Sequence, residues 1–208
     1  MAVTLNASTS SGLVQTADTS GTVEIQSNGT TKLTVSSSGV NIGQMNGGAI
    51  TSGTAVTLTN QTSVDFTSIP SWVKRITINF SGVSTNGTSI PLLQLGDSGG
   101  VETSGYLGSG SSVLDGSATA VVLQTTGFGI GGGMLATVIF HGAIQINLLN
   151  ATANTWCASG VLGRSDVACV FNCGGAKSLS ATLDRVRITT TNGTDQFDAG
   201  TINILYEG

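Results

Sequence analysis

Trp72-Val73-Lys74-Arg75-Ile76-Thr77-Ile78-Asn79-Phe80 alternates by twos. Trp72, Lys74, Ile76, Ile78 and Phe80 fall on one face, and Val73, Arg75, Thr77 and Asn79 on the other. Successive side chains of an extended chain point to opposite faces, so this pattern predicts a strand laid against a core. Working outward, Ile202, Ile204 and Tyr206 alternate with Thr201, Asn203 and Leu205, and Val186 and Ile188 with Arg185 and Arg187. β-branched residues dominate these runs, as strands prefer. No segment carries apolar residues at the spacing of an amphipathic helix. Eight strand-like runs follow residue 55: 55–59, 73–80, 92–95, 120–125, 135–149, 167–171, 183–190 and 201–206. With turn signals between them they predict an all-β fold, an antiparallel β-sandwich of jelly-roll type. Run 135–149 is long for one strand, and Gly142, after His141, is expected to bend or divide it.

Composition agrees. Of the 208 residues only 9% are charged, against roughly 25% in an ordinary domain. Hydrophobic residues still make up 39%, so the chain has the apolar content to fold. The net charge of −4 comes without a basic cluster, which argues against nucleic acid or an anionic membrane as partner. Met1–Asn6 lacks the basic-then-apolar order of a secretion signal, and no run reaches the ~18 apolar residues of a membrane span. The expected site of synthesis is therefore a cytoplasm, where Cys157, Cys169 and Cys173 are free thiols. Cys169 and Cys173 have metal-ligand spacing, but the single His, His141, supplies no complete ligand set, so no metal and no cofactor is expected.

Thr22 to Val35 reads as a hairpin about Asn28-Gly29. A two-residue turn places Ile25 opposite Lys32 and Glu24 opposite Leu33, which mixes the faces. A three-residue loop, Ser27-Asn28-Gly29, sets Val23 against Leu33, Ile25 against Thr31 and Glu24 against Lys32, and is preferred on that ground. A lone hairpin is marginal in water, so Val23, Ile25, Leu33 and Val35 are expected at an attachment or oligomer interface. Residues 36–54 read as a flexible connector. The chain thus divides into an N-terminal attachment and trimerisation arm with its linker, 1–54, and a sandwich, 55–208.

Two strings imitate catalytic motifs. Gly96-Asp97-Ser98-Gly99-Gly100 matches the nucleophile signature of chymotrypsin-like proteases, but those place a His before the serine, and here His141 follows it. Gly127-Phe128-Gly129-Ile130-Gly131-Gly132 matches a dinucleotide fingerprint, but the run after it reads as strand and no acid stands some 20 residues on. A depolymerase reading would draw on Asp97, Glu102 or Asp115 as paired carboxylates. No catalytic residue is assigned. Trp72 and Trp156 are aromatic candidates for sugar contact, with Trp72 favoured as core. Tyr106, in Ser104-Gly105-Tyr106-Leu107-Gly108, reads as an exposed loop, so Asp97, Ser98 and Tyr106 form the candidate ligand loop.

Gly21–Val40, with its Ser-Asn-Gly-Thr-Thr-Lys-Leu-Thr-Val core, resembles an N-terminal element of bacteriophage tail-fibre and virion structural proteins. The stretch from Phe66 to Thr88, continued by Leu92–Gly100 and Gly105-Tyr106, is similar to a β-rich domain of phage fibre-like proteins. Together they cover under half of the chain. The resemblance implies a homotrimer on the virion surface, made in the host cytoplasm and bound to other virion proteins through the arm. No long shaft is present, which favours a short fibre or a capsid-bound projection, and of these the short tail-fibre or host-adhesion role is the reading taken. Capsid decoration, as a head fibre, and a carbohydrate-binding module for a host surface glycan are the alternatives.

Overall fold

The computed structural model describes residues 21–37, 39–42, 50–115 and 120–208. The chain forms two compact units, Met1–Asn46 and Gly47–Gly208. The segment Met1–Asn6 lies outside the described residues.

The first unit holds three antiparallel strands, β1 (Val23–Ser27), β2 (Thr30–Ser36) and β3 (Gly39–Ile42), in that order. The turn between β1 and β2 corrects the three-residue loop. Asn28 and Gly29 both have positive φ, 52° and 72°, the two-residue turn whose twist suits a hairpin. The faces are kept apart by a bulge further along. Val23 pairs with Val35, Glu24 with Thr34 and Ile25 with Leu33; the register then slips, Gln26 meets Thr31, and Lys32 is the extra residue. Leu33 and Val35 pair in turn with Ile42 and Val40 of β3. Residues 36–54 are therefore not simply a connector: β3 and β4 (Thr51–Ser52) lie within them, and 38 and 43–49 lie outside the described residues.

The second unit continues with β5 (Val56–Thr57), β6 (Val64–Phe66), β7 (Arg75–Thr85), β8 (Pro91–Asp97), β9 (Gly100–Val101), β10 (Tyr106–Leu114) and β11 (Ala120–Gln124). Then come β12 (Phe128–Gly129), β13 (Phe140–Asn150), β14 (Thr155–Arg164), β15 (Cys169–Ser178), β16 (Arg185–Thr190) and β17 (Phe197–Glu207). There is no helix among the described residues. A nine-stranded antiparallel sheet runs β11-β10-β15-β14-β13-β7-β17-β4, with β5 also on β17. A five-stranded antiparallel sheet runs β12-β8-β16-β6, with β9 on β8. The chain passes back and forth between the two, as in a β-sandwich.

The inner faces carry the core. Ile76, Ile78, Phe80, Ile144, Ile146, Phe171, Ile202 and Ile204 of the large sheet share one apolar cluster with Leu93, Leu95, Val186 and Ile188 of the small one. Fully burying each such side chain contributes about 1.5–3 kcal/mol. Phe140 links the cluster's aromatics, with ring centroids 5.7 Å from Phe80 and 6.5 Å from Phe171.

Several expectations shift in detail. The alternation holds from Ile76 to Phe80 but does not reach back to Trp72. A turn closes there, with the Val73 N–H donating to Pro70 O at 3.0 Å, so Val73 is buried and Lys74 exposed. Residues 135–139 are not strand; β13 begins at Phe140. Gly142 does mark an irregularity: its φ is 137° and the ladder to β7 slips between Phe140 and Gly142. β10 and β14 were not anticipated, because Ser and Gly crowd β10 and interrupt β14 at Ser159-Gly160.

Candidate functional site

The turn between β8 and β9 places Asp97 and Ser98. Asp97 is buried and Ser98 exposed. Asp97 Oδ1 accepts from the Gly99 N–H at 2.7 Å and Oδ2 from the Ser180 hydroxyl at 2.5 Å. The Ser180 hydroxyl and the Gly99 amide hold the Asp97 carboxyl below its ordinary range.

Tyr106 corrects the exposed-loop expectation. It opens β10 and is 1% exposed, with its ring edge-on to Phe128 at 5.0 Å. Its hydroxyl accepts from the Leu95 N–H at 2.6 Å and donates to Glu102 O at 3.0 Å. An aromatic body flanked by glycine looks like a loop tip in sequence. Here the apolar ring drives it inward, and β8 offers the hydroxyl a partner. Burial pushes the phenol up.

Buried Lys177 lies 5.5 Å from the Tyr106 ring centroid and pairs with Glu102. Its ammonium also donates to Ser178 O at 2.7 Å, and Glu102 Oε1 accepts from the Ser180 N–H at 2.7 Å. Burial pulls the Glu102 carboxyl upward, but Lys177 and Ser180 outweigh it and leave it lowered. Asp97, Glu102, Tyr106, Lys177 and Ser180 thus form a polar clasp between the β8–β10 connection and the end of β15. Its groups are spent on each other, so Asp97 and Tyr106 serve as pins rather than ligand contacts.

The other candidates also resolve into packing. His141 Nδ1 accepts from the Gly82 N–H at 3.0 Å, and Nε2 lies 3.1 Å from the Ser165 hydroxyl, so the ring ties a bulge of the large sheet and is not poised over Ser98. Gly127–Gly132 are buried and precede no helix. Asp115 follows β10, about 30 Å along the strand from Tyr106 at roughly 3.3 Å per residue, and joins no carboxylate pair with Asp97 or Glu102. Cys157, Cys169 and Cys173 are free thiols; burial pushes Cys173 up to about 11. No metal-holding cluster of His, Cys, Asp and Glu occurs among the described residues. Trp156 is buried and Trp72 half-buried against the core. In the N-terminal sheet, Val23, Ile25 and Val35 are 41%, 50% and 40% exposed, and Leu33 is half-buried.

Sequence reasoning missed a groove on the outer face of the small sheet. It encloses about 470 Å³, within the ~300–1,000 Å³ of small-molecule sites. β8 and β16 form its floor. Leu93, Leu95, Val186 and Ile188 face the core, so Leu92, Gln94, Arg187 and Thr189 face the groove. Loops carrying Thr62, Thr103, Thr126 and Thr191 wall it. Gln94 is 6% exposed; its Nε2 donates to Thr126 O at 2.8 Å. Thr189 Oγ1 donates to Thr62 O at 3.1 Å, and Arg187 binds Asp65 through two 2.7 Å hydrogen bonds. The one available signal was Gln94 itself, an amide inside Pro91-Leu-Leu-Gln-Leu95.

No protein-family model matches this sequence, and no curated protein is similar to it.

Proposed function

We propose that the chain is a non-enzymatic surface protein of a bacteriophage particle, a short trimeric tail fibre or host-adhesion protein attached through its N-terminal arm. The observation that carries the non-enzymatic part is the way the sandwich uses its charge. Asp65, Glu102, Asp166, Asp184 and Glu207 each pair with an Arg or Lys. Asp97 is bound by Ser180, Asp195 by Asn192 and Ser89, and Asp198 by Ser84. Acid–base catalysis needs a titratable group free to exchange a proton with substrate. Carboxylates committed to neighbours suit a scaffold that presents surface. The exposed apolar side chains Val23, Ile25 and Val35 support burial of the N-terminal sheet against other copies or other virion proteins. The resemblance of Gly21–Val40 and of the Phe66–Gly100 region to phage virion proteins supports the location.

Gold-labelled antibody on intact particles tests the placement, and light scattering of the purified chain tests the trimer. Label at the tail and a mass of three chains are the expected results. Label confined to the capsid replaces adhesion with decoration, and a monodisperse monomer removes the trimer.

A further inference from the structure

We infer that the groove over β8 and β16 is a binding site for a neutral, polyhydroxylated ligand, a short uncharged oligosaccharide. The inference rests on the adhesion reading above and names the surface that would carry it. Four features converge. The hydroxyls of Thr62, Thr103, Thr126 and Thr191 line the groove and bond to no other group among the described residues, so each is a donor and an acceptor left for a ligand. Gln94, more than nine-tenths buried, spends its Nε2 on Thr126 O, while its Oε1 has no protein donor among the described residues and lines the same space. No buried side-chain polar atom of the described residues lacks a partner, so this oxygen opens to the solvent of the groove, where a ligand hydroxyl can take the place of water.

Charge selects the class. Arg187 is the charged side chain of the lining, and Asp65 neutralises it bidentately, so nothing there favours an anion or a cation over a neutral polyol.

The wall is also built in advance. Asn192 Oδ1 accepts from the Thr190 hydroxyl and from the Thr194 and Asp195 N–H groups, all at 3.0 Å. Its Nδ2 donates to Asp195 Oδ1 at 2.7 Å, and Asp195 Oδ2 accepts from the Ser89 N–H at 2.9 Å. A rim fixed before binding loses little conformational freedom when the ligand arrives.

The test uses the full chain on an array of neutral hexose and N-acetylhexosamine oligosaccharides beside sialylated and sulfated ones, followed by titration calorimetry with the best neutral binder. Two variants accompany it: Thr103→Trp, at an exposed position, fills the groove mouth, and Thr103→Val with Thr191→Val removes two hydroxyls while keeping shape. Neutral oligosaccharides bound in preference to anionic ones, lost in the Trp variant and weakened about tenfold in the double Val variant, is the expected result. Unchanged melting temperatures show that these variants fold. No neutral binding, or equal binding by folded variants, overturns the site. Adsorption of particles to host cells separates the two readings. Adsorption that needs this chain although the chain binds no glycan sinks the groove and spares adhesion, whereas glycan binding at the groove by a chain whose removal from the particle leaves adsorption unchanged spares the groove and sinks adhesion.

Discussion

Replacing Tyr106 with Phe removes one oxygen and leaves the ring where it is, edge-on to Phe128. The structure says what that oxygen does. It accepts the buried Leu95 N–H at 2.6 Å and donates to Glu102 O at 3.0 Å. Leu95 O keeps another donor, the Glu102 N–H at 2.9 Å, so it is not orphaned. The cost is therefore one buried N–H without a partner and one weakened carbonyl. A buried donor left unpaired costs about 1–3 kcal/mol and a typical hydrogen bond contributes about 1, so Tyr106→Phe should destabilise the sandwich by about 2–3 kcal/mol. For a chain of this length that corresponds to a drop in Tm of roughly 4–12 °C. Scanning calorimetry or a thermal melt followed by circular dichroism measures it, and Tyr106→Leu should cost more because the ring is lost too. A Tyr106→Phe melt within about 1 °C of wild type would refute the pinning argument and return Tyr106 to the ligand-contact role read from its sequence neighbourhood.

Four further outcomes follow from the same geometry. Lys177→Met leaves the partly exposed Glu102 carboxylate with only the Ser180 N–H as partner and should cost about 1–3 kcal/mol in urea denaturation, with Glu102→Gln on top recovering part of it. Asp97 and Glu102 both sit below their ordinary range in the folded state. The folded chain then binds fewer protons than the unfolded one at low pH, so their contribution is complete above the unfolded carboxylate range near pH 4 and is lost as pH falls through the lower folded values. An acid titration of stability shows this, and Ser180→Ala should shrink the Asp97 share. Gly110→Ala sets a methyl 2.5 Å from Gly129 O and 2.8 Å from Gly131 O, and should lose about 1–3 kcal/mol through backbone displacement, read as a lower denaturation midpoint. In the native state a thiol-reactive dye should label half-buried Cys157 before Cys169 or Cys173, which react on unfolding.

The strands that sequence alone revealed are those whose two faces differ chemically. Ile76 to Phe80 and Ile202 to Tyr206 alternate because one side meets a core and the other water. β10, Tyr-Leu-Gly-Ser-Gly-Ser-Ser-Val-Leu, and the middle of β14, Ala-Ser-Gly, carry little apolar contrast and read as turns. They are strands because β10 must lie close to its neighbours: a Cβ at Gly108 would stand 2.7 Å from Gly174 O. That requirement is tertiary and leaves no periodic trace. The hairpin register failed for a related reason, since facing patterns fix which residues pair but not where a bulge is inserted. The groove was illegible because its members come from five separated parts of the chain, each an ordinary Thr-rich turn or strand. Tyr106 was misplaced because glycine on both sides outweighed the drive to bury an aromatic ring.

The sandwich's last strand in chain order, β17, does not lie at a margin. It is clamped between β7 on one side and β4 and β5 on the other. During synthesis, β7 therefore waits with one hydrogen-bonding edge open until more than a hundred later residues have left the ribosome. Long-range pairings of this kind close slowly and expose sticky edges meanwhile. Nascent chains halted before Phe197 should collect on chaperones or in inclusion bodies instead of accumulating as a partly working sandwich.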